Sequence, residues 1–269
     1  MTPTASLPMY NLPEMRPANA LFWKALRELL AASGLRDLPE TLDLERPPVP
    51  EQIGSEVLFS QTCGYPLETI FSGQAIRLGT PSYDVPGCDG PTHCGLFVVP
   101  AGSSAEELSD LAGGVFLLNS RHSNSGMNLP RRALAEIARG RPYFSRVIET
   151  GSQPGNLDRI SRGEGDVTSV DCVTYAFWQQ YRPRAAEHVR VLARTPASPA
   201  IPFVTSAETP AATVVLLRDA LRRVARESHY AAVRVGMALS DIVDVPDTAY
   251  RRLLDYEREA AALDYPMLE

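Results

Sequence analysis

Cysteine is scarce in this chain of 269 residues: four stand at positions 63, 88, 94 and 172. Their spacing excludes a zinc ribbon. Cys88 and Cys94 are close enough in sequence for a disulfide, and reduced thiols in a reducing compartment are the other reading. No apolar run approaches about 18 residues, so no membrane span is expected. Basic residues number 26 against 32 acidic ones, for a net charge of −6. No dense Lys/Arg patch occurs, which argues against a nucleic-acid partner. The first ten residues lack a basic stretch followed by a long apolar one, the pattern of a secretory signal. As it stands, the sequence therefore points to the cytoplasm; with a signal removed beforehand it would be periplasmic. HExxH and GxSxG are missing, which removes the zincin site and the nucleophile elbow. GxxxxGK followed by Ser or Thr is missing too, so no nucleoside-triphosphate loop is expected. No tight His/Asp/Glu/Cys grouping argues for a metal, no cofactor is implied, and no internal repeat is evident.

What is present concentrates in residues 118–130, Leu-Asn-Ser-Arg-His-Ser-Asn-Ser-Gly-Met-Asn-Leu-Pro. The apolar run Val115–Leu118 ends in a polar turn, and a helical pattern follows with Pro130 near its start. The first amides of a helix lack internal partners and carry the positive end of the macrodipole. Ser123, Asn124 and Ser125 add side-chain donors, and Gly126 lets the backbone approach a ligand closely. This is an anion cradle; an ordinary capped turn is the plainer alternative. His122 lies inside the turn, where it is placed to donate to an oxyanion or to stand exposed in the loop.

Elements elsewhere alternate. Ala5–Tyr10 reads as a first strand. Leu21, Phe22, Ala25, Leu26, Leu29 and Leu30 fall on one face of a helix over 19–32, stopped by Gly34. Strands are expected near 56–60, 75–80, 95–99, 114–119, 144–149, 167–170 and 188–193. Helices are expected at 66–71, 105–111, after the polar turn to about 139, to about 161, and at 173–181, 212–227 and 247–262. The stretch 194–211 is rich in Pro, Thr and Ser and reads as irregular. The alternation argues for an α/β protein with largely parallel sheets. Polar turns between a strand and a helix recur at Ser60–Cys63, Thr150–Ser152 and Ser169–Asp171. In open α/β sheets ligands bind beyond the carboxyl ends of strands. Asp171 is either a helix N-cap or the partner of a ligand ammonium. Glu149, at a strand end, is placed to help it or to face solvent. Tyr10, Tyr65 and Tyr83 supply aromatic walls or plain packing. Cys63 and Cys172 sit in candidate site loops, as a reactive thiol or as buried structural cysteines.

Several segments, in order, resemble the phosphate/phosphonate-type substrate-binding proteins of ABC importers. They are Leu7-Pro8-Met9-Tyr10, Ser60-Gln61-Thr62-Cys63-Gly64-Tyr65-Pro66, Asn119 with Ser123-Asn124-Ser125-Gly126, Thr150-Gly151-Ser152, and Gly163-Glu164-Gly165-Asp166 with Asp171-Cys172. The resemblance runs from about residue 5 to about 225. It implies an α/β, two-lobed type II periplasmic-binding-protein fold with a ligand cleft between lobes that close by hinge bending. Lobe one would be 1–99 with 189–269, and lobe two 100–188. It implies further that Ser123, Asn124, Ser125 and Gly126 hold phosphoryl oxygens, and that Tyr10, Thr62 and Tyr65 face them from the other lobe. Asp171, with Glu149, would take a ligand amine. Gln153 follows Thr-Gly-Ser where the family usually has His.

The resemblance makes the protein a non-catalytic binder of a small anionic or zwitterionic solute, with an ABC transporter permease as its partner. Two alternatives stand beside it. One is a cytosolic enzyme on the same fold acting on a cofactor-precursor-like substrate, motivated by His122 and the site cysteines. The other is a sensory subunit whose ligand state another protein reads. Binding is favoured over catalysis because no acid–base pair of defined spacing is visible.

Overall fold

A computed structural model describes residues 2–269. Its strands are β1 (Thr4–Ala5), β2 (Val57–Gln61), β3 (Ala75–Tyr83), β4 (Thr92–His93), β5 (Gly95–Pro100), β6 (Val115–Leu118), β7 (Arg146–Glu149), β8 (Val167–Asp171), β9 (Val189–Arg194), β10 (Ser198–Pro199), β11 (Phe203–Ser206) and β12 (Leu239–Val243). Its helices are α1 (Arg16–Ala32), α2 (Gly64–Glu68), α3 (Leu129–Ala138), α4 (Gln153–Ser161), α5 (Cys172–Tyr181), α6 (Pro183–Ala186), α7 (Ala211–Arg226), α8 (Ala231–Gly236), α9 (Asp247–Tyr250) and α10 (Arg252–Ala262).

The chain divides into two compact units. The first comprises Met1–Asp84, Cys88–Thr92 and Pro199–Ala249; the second comprises Val85–Gly87, His93–Ser198 and Tyr250–Glu269. These divisions differ from lobe limits at 99 and 188. β5 and β9 lie wholly inside the second unit, and the C-terminal helix α10 belongs there as well.

The first unit holds the sheet β1-β2-β11-β3-β12. α1 covers it because its apolar residues recur every three or four positions. Phe22, Trp23, Leu26 and Leu30 are buried. Trp23 stacks on Phe59 of β2, and Phe22 on Phe203 of β11, with ring centroids 5.7 Å and 5.4 Å apart. Each such aromatic contributes about 1.5–3 kcal/mol by leaving water. Leu21, expected on this face, stands 44% exposed instead. The helix stops at Gly34, whose φ of +89° suits only glycine comfortably.

The second unit holds the sheet β7-β6-β8-β5-β9. Phe116, Leu117 and Leu118 of β6 and Phe97, Val98 and Val99 of β5 are fully buried. Such unbroken apolar runs mark strands covered on both faces. A separate two-stranded sheet pairs β10 with β4.

The sheets are mixed rather than largely parallel. β1 runs parallel to β2, and β6 parallel to β7 and β8. β11 is antiparallel to both β2 and β3, β12 to β3, and β5 to both β8 and β9. The expected strand over 5–10 shrinks to Thr4–Ala5, because Pro8 has no N–H to continue the ladder. The helix expected from Pro66 begins at Gly64 and ends at Glu68. Residues 194–211 contain β11, and the stretch between the last two expected helices contains α8 and β12.

Candidate functional site

β6 delivers the chain into the polar turn, and the turn does not enter α3 directly. Asn124–Asn128 forms a single π turn, in which Asn128 N donates to Ser123 O at 3.0 Å. Wide turns of this kind recur at functional sites. Ser123 caps the turn, its Oγ accepting from Gly126 N at 3.0 Å. Gly126 is required sterically: a Cβ there would lie 1.9 Å from Asn119 Oδ1 and 2.9 Å from Ser123 Oγ. Ser123, Asn124 and Ser125 are 6%, 1% and 2% exposed, so the turn is a buried feature of its unit.

Gln153, the first residue of α4, clips this turn to the end of β8. Its Nε2 donates to Ser125 Oγ at 3.0 Å and, more weakly, to Ser123 Oγ at 3.5 Å. Its Oε1 accepts from Asp171 N at 2.9 Å. Ser169 Oγ donates to Ser125 O at 2.6 Å, and Asn124 Nδ2 to Ser198 Oγ at 2.9 Å. In their internal bonds both Ser123 Oγ and Ser125 Oγ therefore act as acceptors. Each O–H keeps its hydrogen for another acceptor. Two hydroxyl donors at the opening of a helical segment suit an anion.

Asp171 ends β8, caps α5 and is 1% exposed. Its Oδ1 accepts from Val173 N at 2.8 Å and from Thr174 N at 3.3 Å. Its Oδ2 meets the buried Nδ1 of His93 on β4. Burial pulls the His93 pKa down, but the Asp171 charge and hydrogen bond outweigh it and hold the imidazole above its ordinary value. Asp171 thus serves as the cap of α5, with the His93 imidazole on its second oxygen.

The remaining expected residues lie elsewhere. His122 is exposed, its backbone N–H donating to Ser120 Oγ at 3.1 Å. Glu149 is exposed as well, its Oε1 accepting from Arg121 N at 3.2 Å. Tyr10, Thr62 and Tyr65 belong to the first unit and are buried in it. Tyr10 packs edge-on against Tyr83 with centroids 5.4 Å apart. Thr62 Oγ1 donates to Pro48 O at 3.4 Å. Tyr65 sits on α2. Cys63 and Cys172 are buried thiols, and Cys88 and Cys94 are thiols too rather than a disulfide. Among the described residues no group of three or more His, Cys, Asp and Glu is placed to hold a metal. None of the described helices is long and apolar enough to cross a membrane. Reading the sequence missed Gln153 as the clip and Ser169 and Ser198 as supports. The departure from Thr-Gly-Ser-His was the one signal that marked Gln153.

A family model described as ABC transporter, phosphonate, periplasmic substrate-binding protein matches residues 85–250. No curated protein matches the chain by sequence. Among solved structures, the chain is similar to a binding protein component of an ABC phosphonate transporter from Pseudomonas aeruginosa. Identity is 14%, the TM-score is 0.78, and 98% of this chain and 88% of that one are covered. A Xanthomonas citri protein solved with ATP is 16% identical over 98% of this chain and 99% of its own, with a TM-score of 0.69. PhnD1 of Prochlorococcus marinus, solved with methylphosphonate, is 12% identical over 89% and 83%, with a TM-score of 0.61. Likeness at these identities establishes the two-lobed binding-protein fold.

Proposed function

Because this chain belongs to the ABC transporter, phosphonate, periplasmic substrate-binding protein family, we propose that the Ser123–Gly126 turn holds the phosphoryl end of a small phosphonate- or phosphate-like anion. Members of this family are non-catalytic substrate-binding components, and the enzyme alternative gains nothing from the match. The single observation that carries the reading is the state of the two seryl hydroxyls. Both accept within the protein, and both hold a hydrogen in reserve. The same reading adds Tyr10, Thr62, Tyr65, His122 and Glu149 as ligand-binding residues.

Asp171 argues for a plain anion over a zwitterion. Its carboxylate is already shared between two backbone amides and the His93 imidazole, which leaves little charge for a ligand ammonium. Methylphosphonate or phosphate should therefore bind at least as well as 2-aminoethylphosphonate. The family is one of periplasmic substrate-binding proteins, and we infer from it that this protein works in the periplasm and delivers its ligand to a membrane permease. Cell fractionation and co-purification with the permease are the checks on that part.

Thermal unfolding with methylphosphonate, inorganic phosphate and 2-aminoethylphosphonate, each added singly, tests the site. A ligand at a hundred times its Kd adds about 2.7 kcal/mol of stability. The Ser123→Ala, Ser125→Ala double variant should fold and lose that gain. No stabilisation by any of the three, or a gain unchanged in the double variant, rejects the reading.

A further inference from the structure

The antiparallel pairing of β5 with β8 puts Gly95 opposite Asp171, and so Cys94 opposite Cys172. Cys172 N donates to Cys94 O at 3.1 Å. Opposed residues in such a hydrogen-bonded pair have Cα atoms about 5.5 Å apart, within the roughly 4.4–6.8 Å that a disulfide spans. Gly87 lies over both sulfurs: a Cβ there would come within 3.1 Å of Cys94 Sγ and 3.2 Å of Cys172 Sγ. Its φ of +99° is also one that side chains resist. The family's compartment, the periplasm, is one in which disulfides form and persist.

We propose that Cys94 and Cys172 are a modification site: a dithiol that a disulfide-bearing oxidant converts to a cross-strand disulfide. One cysteine thiolate attacks a sulfur of the oxidant's disulfide, giving a mixed disulfide and releasing one thiol. The second cysteine thiolate then attacks the protein sulfur of that mixed disulfide, forming the Cys94 Sγ–Cys172 Sγ bond and expelling the second thiol. Two electrons and two protons leave the protein and reduce the oxidant to two thiols. Both cysteines are buried, and the hydrogen bond to Cys172, together with burial, holds the Cys94 thiol well above its ordinary range. Exchange therefore belongs to folding or to opening of the segment that carries Gly87, and the folded dithiol is inert once covered. The bond would close a loop of about 80 residues, which constrains the unfolded chain strongly. It would also pin the two strand ends that carry His93 and Asp171, each the immediate neighbour of one of the cysteines.

The full chain, unfolded in urea and refolded with reduced and oxidised glutathione, tests this without any anion, so the outcome is independent of the binding reading. Alkylation under denaturing conditions, digestion and mass spectrometry should return a peptide joining Cys94 to Cys172, lighter by about 2 Da than the two thiol peptides together. Tm should exceed that of the reduced protein by about 5–15 °C. Cys63→Ser and Cys88→Ser should keep the gain, and Cys172→Ser should lose it. The mapping on the unaltered chain stands even if Cys172→Ser fails to fold. Recovery of Cys94 and Cys172 both alkylated, a link to Cys63 or Cys88 instead, or a Tm lowered by the crosslink overturns the proposal.

Discussion

Two polar loops follow strands in this molecule and read alike in sequence: Ser60–Pro66 in the first unit and Ser120–Gly126 in the second. The hydroxyls of Thr62 in the first and of Ser123 and Ser125 in the second are used in opposite directions. In the first, Gln61 Nε2 donates to Tyr83 OH and Ile201 O, both at 3.1 Å, and Thr62 Oγ1 donates to Pro48 O at 3.4 Å. Ser60 Oγ pairs with Ser6 Oγ at 2.8 Å. These donors face inward and fasten the loop to its own unit. In the second, the seryl oxygens receive hydrogen bonds from Gly126 N and Gln153 Nε2, and their hydrogens are not consumed. Composition marks a loop as polar. Whether its groups give or receive is what separates a fastening from a cradle.

The sharpest way to break this comparison is to truncate both loops. A hydrogen bond to a charged group contributes about 1.5–3 kcal/mol. Ser123→Ala with Ser125→Ala should therefore weaken methylphosphonate binding by about a hundredfold or more, read by calorimetric titration. Ser60→Ala with Thr62→Val should cost stability of about 1–2 kcal/mol by urea unfolding, while shifting affinity less than tenfold. Equal affinity losses from the two pairs would erase the distinction.

Gly126→Ala probes the same turn through shape. The added methyl meets Asn119 Oδ1 and Ser123 Oγ, so those side chains or the turn that carries them must shift. Overpacking of this kind costs about 1–3 kcal/mol. A variant as stable as the parent by urea unfolding would show that the turn is looser than its contacts imply. Gln153→Ala should act more gently, removing the clip but neither hydroxyl. A loss of about 1 kcal/mol in binding, roughly fivefold, is expected with the fold intact. A complete loss would assign Gln153 a direct part in holding the ligand.

The mildest signature is a pH dependence. His93 has its pKa raised in the folded state relative to the unfolded chain. Its contribution to stability is therefore full below the unfolded value of about 6.5 and fades as pH rises through the folded value. An NMR titration of the His93 ring should give a midpoint above about 6.5, and urea midpoints should carry a falling component over the same range. A midpoint below it would mean that burial overrides Asp171.

Parts of this molecule were legible residue by residue. The spacing of Phe22, Leu26, Leu29 and Leu30 announces α1, since a helix repeats its face every three or four positions. The run Val115–Leu118, the seryl turn and Pro130 announce strand, cap and helix in order. β11 was not legible. Phe203-Val204-Thr205-Ser206 is a short strand inside a Pro-, Thr- and Ser-rich stretch, and its place between β2 and β3 is set by partners more than a hundred residues away. For the same reason the mixed direction of the sheets escaped the alternation of elements. Leu21 obeys the helical period and is nonetheless exposed, because the period fixes a face and not the width of what covers it.

The sequence by itself determined the α/β class, the family and the hydroxyl-rich turn at a helix start, because periodicity, caps and short motifs act over a few neighbouring residues. Tertiary structure alone decided that Gln153 holds the seryl pair, that Asp171 spends its charge on His93, and that Cys94 and Cys172 face each other. Each of these joins residues distant in the chain, and only the pairing of strands, fixed by burial of both faces of the sheet, brings them within reach.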